Sequence, residues 1–252
     1  MKKFVVGNWK MNGTTTGVQE YAQGLIQILP AASCEIGIAV PSLYLPQLSA
    51  RLGATSVAVV AQDVSQFKGP GAYTGEISAQ MLKDAGCTHV LIGHSERRHV
   101  FAEDDLVLVG KIACAVDAGL VPIICIGEEL HIRQQGRYLE ELARQLAVIE
   151  RTRDLLPATV WVAYEPVWAI GTGLVASTAQ ISEAHAFLAD KLRELLPKSK
   201  TARLLYGGSV KGSNAAEILA LPGVDGVLVG SASLTVSELG AIIAGTKVAL
   251  PA

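Results

Sequence analysis

The stretch that decides the fold is Val160-Trp161-Val162-Ala163-Tyr164-Glu165-Pro166-Val167-Trp168-Ala169-Ile170-Gly171-Thr172-Gly173. Its first four residues form an apolar run that predicts a buried strand. Glu165 lies where that strand ends, and Pro166 disfavours the helical region for the residue before it. The apolar and then glycine-rich residues that follow indicate a loop that can move and close. A carboxylate at a strand end, under an apolar flap, is suited to act as a general base.

Short apolar runs of this kind recur along the chain, with helical patterns between them. They are Phe4–Val6, Ile36–Val40, Val57–Ala61, His89–Ile92, Val121–Ile126, Val160–Ala163, Arg203–Tyr206 and Gly226–Val229. Such continuous apolar runs are typical of parallel strands buried on both faces. The clearest helical patterns are Thr16–Leu29, Asp105–Ala118, Tyr138–Leu155, Ser177–Leu195 and Asn214–Leu219. Ser177 with Gln180 forms a candidate capping box, and Gly119 suits a helix stop.

Eight strand–helix units in 252 residues predict an α/β protein with a (β/α)8 barrel, eight parallel strands inside a ring of helices. A doubly wound open sheet is the structural alternative. Against it, no G-x-G-x-x-G follows the first strand, where the chain reads Gly7-Asn8-Trp9-Lys10. Since neither a linker nor a change of composition interrupts the pattern, we expect one barrel domain over residues 1–252.

Composition limits the classes of partner. Half of the residues are hydrophobic and the formal net charge is -2, which gives no indication of nucleic-acid binding. The four cysteines have no C-x-x-C spacing, so we expect reduced, buried thiols in a cytoplasmic protein. The apolar run at the amino terminus is too short for a signal peptide, and none approaches the length of a membrane span. The histidines show no metal-binding spacing, and we expect no metal.

Polar residues stand at the predicted strand ends, where the active sites of such barrels lie. Asn8 and Lys10 follow the first strand, and His94 begins the segment that follows the fourth. Glu165 follows the sixth strand. Small residues follow the seventh and eighth strands, namely Gly207, Gly208, Ser209, Gly230 and Ser231. Each feature alone is weak evidence, but their appearance together at matching strand ends predicts one site.

The chemistry of this set can be argued from the residue types. Glu165 can remove a proton from a carbon, and such a proton is acidic only beside a carbonyl. His94 and Lys10 can stabilise the oxyanion that develops on that carbonyl. The small residues after the last two strands can offer backbone N–H groups to a phosphate, with a short helix start near Ala232–Leu234 adding its positive end. The residues therefore predict proton abstraction from a small phosphorylated substrate, without a cofactor or metal.

Five segments carry a resemblance to a known family. They are Gly7–Asn12, Gly93–Arg98, Tyr164–Gly173, Tyr206–Ser209 and Val229–Gly230. On these the chain resembles triosephosphate isomerases nearly end to end. The resemblance implies the TIM barrel and the cofactor-independent interconversion of dihydroxyacetone phosphate and D-glyceraldehyde 3-phosphate through an enediolate. That reaction belongs to glycolysis and gluconeogenesis.

The same resemblance implies roles for the polar residues. Glu165 is the base that moves the proton between two adjacent carbons, and His94 is a neutral electrophile that polarises the carbonyl. Lys10 favours the developing negative charge and the phosphate, and Asn8 positions the substrate. Glu96 lies beside Lys10 and His94. Two roles remain open for it, a catalytic one and a salt bridge that only holds Lys10 in place.

The phosphate contacts and the lid are implied in the same way. Gly171, Ser209 and Gly230 bind phosphate through backbone N–H groups, and Ser231 does so where the family usually has a second glycine. The lid is the segment of residues 166–176, with hinge and tip positions Pro166, Val167, Trp168, Ile170, Gly173 and Ala176. Its closure presses Ile170 and Leu228 on Glu165 and excludes water. Closure also keeps the enediolate from expelling phosphate.

The loop after the third strand, residues 62–76, is long for a compact domain and is therefore expected to be functional. In the family it inserts into a second subunit, where Thr74 reaches the neighbour's Asn8–Lys10 region. The resemblance thus implies a homodimer, and a surface loop without a partner is the alternative.

Two other functions compete with the isomerase. One is another phosphate-binding barrel, such as a sugar-phosphate aldolase or an indole-forming lyase. A Schiff-base aldolase needs a lysine within a barrel strand, and Lys10 follows its strand instead. The other is an inactive barrel kept as a binding scaffold, against which the intact Lys10, His94 and Glu165 count.

Overall fold

Eight parallel strands close into a barrel in the computed structural model, which describes residues 2–248. The strands pair in chain order, and β1 closes the barrel against β8. They are β1 Phe4–Asn8, β2 Glu35–Val40, β3 Ala58–Ala61, β4 His89–Ile92, β5 Val121–Ile126, β6 Thr159–Tyr164, β7 Thr201–Tyr206 and β8 Gly226–Val229. The predicted (β/α)8 barrel is confirmed. The predicted domain span of 1–252 includes residues 1 and 249–252, which lie outside the described residues.

Side chains alternate between the inside and the outside of the barrel. Phe4 and Val6 of β1 point into the barrel, whereas Val5 packs outward against the helices. The barrel interior is filled by Phe4, Val6, Ala39, Val60, Leu91, Ile123, Cys125, Trp161, Ala163, Leu205 and Leu228. Because both faces of each strand are buried, the apolar runs in the sequence are continuous rather than alternating.

Eleven helices are described outside the barrel. They are α1 Thr15–Ile28, α2 Leu45–Leu52, α3 Ala79–Asp84, α4 Ser95–His99, α5 Asp105–Asp117, α6 Leu130–Gln134, α7 Tyr138–Gln145, α8 Ala147–Thr152, α9 Thr178–Leu195, α10 Ala215–Ala220 and α11 Val236–Val248. The capping box at Ser177 and Gln180 is present, and Gly119 follows α5 with a φ of 73°. These two local predictions are confirmed.

Two local predictions need correction. The single helix expected over Tyr138–Leu155 is two helices that divide at Leu146, although the sequence has no glycine or proline there. The division follows Gln145, whose buried side chain bonds to the end of β5 rather than turning to solvent. The helix start expected near Ala232–Leu234 is a 3-10 turn over Ser231–Ser233, and α11 begins at Val236.

All four cysteines are free thiols. Cys87, Cys114 and Cys125 are buried as expected, but Cys34 is only partly buried, because it lies in the connection before β2. Within residues 2–248, no helix is long and apolar enough to cross a bilayer.

The buried imidazole of His185 makes stability depend on pH. His185 on α9 is fully buried, its Nδ1 lies 2.9 Å from the Gly223 carbonyl oxygen, and burial lowers its pKa to about 4. Between pH 6.5 and 4 the His185 imidazole binds a proton in the unfolded chain but stays neutral in the folded chain. The free energy of unfolding therefore falls as the pH drops toward 4. We expect His185 to account for about 2 to 3 kcal/mol of the loss between pH 7.5 and 4.5.

Urea unfolding at both pH values measures this contribution. The matched variant is His185→Gln, which keeps a donor but does not titrate, so its stability should fall less over the same interval. The other buried titratable groups act in both proteins and cancel in the comparison. Equal pH dependence of the two proteins would contradict the expectation.

Candidate active site

A cavity of about 640 Å³ opens at the carboxyl ends of the strands. Its walls come from the segments that follow β1, β4, β6, β7 and β8, so residues far apart in sequence meet there. A second cavity of about 390 Å³ adjoins it and shares Asn8, Lys10 and His94 in its lining. The barrel thus gathers at one end the strand-end residues that the sequence analysis singled out.

Glu165 follows β6 directly and is only 1% exposed. Its backbone N–H donates to the Ile126 carbonyl oxygen at 2.7 Å, which fixes the start of the side chain against β5. Its carboxylate accepts a hydrogen bond from the Ser95 backbone N–H at 2.9 Å, and Oε1 lies 3.0 Å from Nε2 of His94. Both oxygens are therefore engaged at the wall of the cavity.

His94 precedes α4 and its ring is almost completely buried. Its Nδ1 accepts a hydrogen bond from the Glu96 backbone N–H at 3.3 Å, so in the neutral ring the proton lies on Nε2, facing Glu165. Burial lowers the pKa of His94, but the Glu165 and Glu96 carboxylates outweigh burial and the net pKa is raised. If the Glu165 carboxylate turns away from the ring, the larger raising contribution is lost, and burial and Lys10 then favour the neutral imidazole.

Lys10 is held at the floor of the cavity by its backbone and by its side chain. Its φ of 53° is unusual for a residue with a side chain, and its N–H donates to Oδ1 of Asn8 at 3.0 Å. Gln62 donates to the Lys10 carbonyl oxygen at 3.0 Å. The Lys10 ammonium lies 2.5 Å from Oε1 of Glu96, which is half exposed. The salt bridge considered for Glu96 in the sequence analysis is thus present.

Backbone N–H groups without acceptors also belong to the lining of the cavity. Among the described residues, no acceptor lies within hydrogen-bond geometry of the N–H groups of Gly171, Ser209, Gly230 or Ser231. Ser231 begins a 3-10 turn and is not among the residues with positive φ, so a serine fits this position without backbone strain. An anion can bind several such N–H groups at once.

The segment predicted to form the lid is exposed at its tip. Its first part is a 3-10 turn over Val167–Ala169, and the tip glycines, Gly171 and Gly173, have φ of 70° and 83° with open space around them. The far hinge exposes Leu174 and Val175 about half, whereas Ala176 is buried. Tyr206 has a buried hydroxyl near the backbone of Ala176 without a hydrogen bond of normal geometry.

Glu128 is a residue that the sequence analysis missed. It follows β5, is 1% exposed, and its Oε1 accepts from Nε1 of Trp168 at 2.9 Å and from the Tyr164 hydroxyl at 3.1 Å. Burial raises the pKa of Glu128, and these hydrogen bonds partly offset the effect. The carboxylate ties the lid's first hinge to the barrel. In the sequence, only its position after a predicted strand pointed to Glu128, and the neighbouring Gly127 and Glu129 share that position.

The comparisons with known proteins agree with one another. A family model described as triosephosphate isomerase matches residues 3–246. Proteins named triosephosphate isomerase from Albidiferax ferrireducens and Francisella tularensis subsp. tularensis are 43% and 45% identical, each over 96% of this chain and 98% and 96% of their own lengths. The chain belongs to the triosephosphate isomerase family. A crystal structure of triosephosphate isomerase from Bartonella henselae superposes with a TM-score of 0.86 at 38% identity, covering 98% of this chain and all of that one.

The residues implied by the likeness to triosephosphate isomerases lie in three places: the lining of the large cavity, the lining of the adjoining cavity, and outside both. The large cavity is lined by Asn8, Lys10, His94, Glu165, Ile170, Gly171, Gly173, Ser209, Leu228, Gly230 and Ser231. Glu96 lines the adjoining cavity instead. Pro166, Val167, Trp168 and Ala176 lie at the two ends of the lid, outside either cavity lining, and Thr74 is exposed on its loop.

Proposed function

We propose that Glu165 is the general base of the isomerisation of dihydroxyacetone phosphate to D-glyceraldehyde 3-phosphate, a step of glycolysis and gluconeogenesis. One observation supports this most directly. The Glu165 carboxylate lies 3.0 Å from the His94 imidazole in the lining of a cavity that also carries backbone N–H groups without acceptors. A base, an electrophile and an anion site within one cavity are what proton abstraction from a phosphorylated carbonyl compound requires.

The reaction starts when the substrate phosphate binds the N–H groups of Gly171, Ser209, Gly230 and Ser231. The carboxylate of Glu165 leaves the Ser95 N–H, turns to the substrate and takes the proton from the carbon beside the carbonyl. His94 donates from Nε2 to the carbonyl oxygen as negative charge develops there, and the Lys10 ammonium stabilises the same charge. Glu165 then returns the proton to the neighbouring carbon, which carried the carbonyl. His94, having passed a proton to the former carbonyl oxygen, recovers one from the hydroxyl on the first carbon, so that this oxygen becomes the new carbonyl and His94 ends neutral.

Positioning is divided among the remaining residues. Asn8 holds the Lys10 backbone, and Glu96 orients the Lys10 ammonium. Pro166, Val167, Trp168 and Ala176 are the hinges about which the lid closes, carrying Ile170, Gly171 and Gly173 over the substrate. Ile170 and Leu228 then shield Glu165 from water, which strengthens the electrostatic interactions in the site. We propose that the chain acts as one domain in the cytoplasm, consistent with its free thiols.

A coupled assay of glyceraldehyde 3-phosphate conversion tests the function. Fast turnover without added metal or cofactor is expected. Absence of turnover in folded protein would contradict the isomerase and favour a binding scaffold.

We further propose that the chain acts as a homodimer through the loop of residues 62–76. Next to the catalytic groups, the adjoining cavity of about 390 Å³ is bordered by Met11 and Phe101, whose side chains are 96% and 62% exposed. In the proposed dimer the partner's Thr74 loop would occupy this cavity and cover these apolar side chains.

Sedimentation at micromolar concentration should therefore give twice the 26.4 kDa mass of the chain. The variant Thr74→Arg should shift the protein toward monomers, and its specific activity should rise with concentration as dimers form. A wild-type monomer of full activity would contradict the dimer.

A further inference from the structure

A buried glutamine outside the cavity connects a surface helix to the end of β5. Gln145 is the last residue of α7 and its side chain is 2% exposed. Its Oε1 accepts from the Gly127 backbone N–H at 2.9 Å, and its Nε2 donates to the Gly127 carbonyl oxygen at 2.8 Å and to Oε1 of Glu141 at 2.7 Å. One acceptor and two donors are what a primary amide offers, so every contact matches its chemistry.

Gly127 lies directly against the backbone of the base. A β-carbon at Gly127 would stand 1.6 Å from the Glu165 carbonyl oxygen, so only glycine allows this approach. The residues on either side of Gly127 also bond to the same segment. The Glu165 N–H donates to the Ile126 carbonyl at 2.7 Å, and the Val167 N–H donates to the Glu128 carbonyl at 3.1 Å.

Residues 126–128 therefore form the support of both the base and the first hinge of the lid. The support reaches the hinge a second time through the Glu128 carboxylate, which accepts from Trp168. Within this segment, the Gln145 amide bonds to both backbone groups of the central residue, Gly127. Hydrogen bonds this deeply buried are costly to break, because each leaves a backbone group without a partner.

The Glu141 carboxylate that accepts from Gln145 is held in turn by ion pairs at the protein surface. Glu141 receives two hydrogen bonds from Arg144, at 2.7 and 2.9 Å, and Arg144 also approaches Asp105 of α5 at 3.4 Å. These ion pairs are partly exposed and contribute little to stability. Their effect is on geometry, since they fix the carboxylate that in turn orients the Gln145 amide.

We infer that Gln145 is a positioning residue for the isomerisation, which holds residues 126–128 and so sets where Glu165 and the first hinge of the lid project into the site. The inference rests on the role proposed above for Glu165. Gln145 does not line the cavity and reaches the chemistry only through Gly127. A displacement of about 1 Å in a catalytic group can lower a rate about 100-fold.

Replacing Gln145 should therefore separate turnover from phosphate binding. In Gln145→Met, which keeps the length of the side chain without its hydrogen bonds, we expect kcat per folded molecule to fall about 10- to 100-fold. The Ki of inorganic phosphate should stay within about twofold, because three of the four phosphate N–H groups, those of Ser209, Gly230 and Ser231, belong to segments that Gln145 does not hold. The Ki of 2-phosphoglycolate, whose carboxylate stands in for the enediolate beside Glu165, should rise with the loss of kcat.

Two further variants complete the experiment. Gln145→Glu keeps an acceptor for the Gly127 N–H and supplies at most one donor, in its protonated form, in place of two. Its kcat should therefore also fall, which provides a second test if Gln145→Met does not fold. Leu142→Val, also buried on α7, should lower the free energy of unfolding with kcat per folded molecule unchanged.

Wild-type kcat in both Gln145 variants, or equal changes in the two Ki values, would overturn the inference. If instead Glu165→Gln remained active, the proposed base itself would be wrong.

Discussion

Replacing Glu165 with glutamine should lower kcat roughly 10³- to 10⁴-fold and leave the KM for glyceraldehyde 3-phosphate within a few-fold. General base catalysis by a positioned side chain contributes about 10²- to 10⁴-fold, and an amide cannot accept the proton at all. Glutamine has nearly the volume of glutamate, so the buried site is still filled. Glu165 supplies none of the phosphate N–H groups, so these should bind as before. The coupled assay measures both constants.

The hydrogen bonds that the Glu165 carboxylate makes without substrate complicate the interpretation of the glutamine variant, and a control variant can resolve this. The Glu165 carboxylate accepts from the Ser95 N–H and faces Nε2 of His94, whereas an amide can accept at only one of these positions. Part of any loss could therefore reflect a displaced side chain.

The control is Glu165→Asp, which keeps a base but withdraws it by one methylene. We expect a smaller loss of about 10²-fold in kcat, since the base is misplaced but present. A glutamine variant within tenfold of the wild type, or one less impaired than the aspartate variant, would contradict the role of Glu165.

The strands could be predicted well because their sequence signal is strong. For β4, β5 and β8 the predicted bounds are the same as those in the structure. The other strands differ by one or two residues at one end, or in β6 by one residue at each end. Parallel strands buried on both faces consist of apolar runs that stand out from amphipathic helices. Register and barrel closure then follow from eight such units in sequence.

The missed helices lacked a comparable signal. Four of them, α2, α3, α4 and α6, have five to eight residues, a length at which a helical period is hard to recognise, although the six-residue α10 was predicted. The fifth, α11, is rich in apolar residues on more than one face, as in Ala241-Ile242-Ile243-Ala244, and so has no clear amphipathic pattern.

The position of the candidate site was predictable where polar side chains follow strand ends. Lys10, His94 and Glu165 were singled out in this way, and the barrel brings them to one cavity. The Ser95 contribution is a backbone N–H, which residue type does not reveal. Gln145 acts from a helix through Gly127, and this contact depends on how α7 packs against β5. Such contributions become visible only when tertiary contacts are known.

The second large effect is expected at Lys10. The variant Lys10→Met removes the ammonium that faces the cavity, and we expect kcat/KM to fall about 10³-fold, the upper range for losing one preorganised group that stabilises an oxyanion. Removing the ammonium also takes away a charge that lowers the pKa of His94, so the neutral imidazole is less favoured in the variant. Steady-state kinetics and the Ki of inorganic phosphate measure the two parts of the effect.

A double variant distinguishes a direct role of Lys10 from a role in neutralising Glu96. In Lys10→Met the Glu96 carboxylate loses the partner that lies 2.5 Å away, and its charge then acts alone beside His94. The variant Lys10→Met/Glu96→Gln removes both charges. If Lys10 stabilises the reacting oxyanion and the phosphate, kcat/KM of the double variant should remain within about tenfold of the single variant, because the missing cation is still missing. Recovery to near the wild-type value would instead mean that Lys10 serves only to offset Glu96, and the oxyanion would then depend on His94 alone.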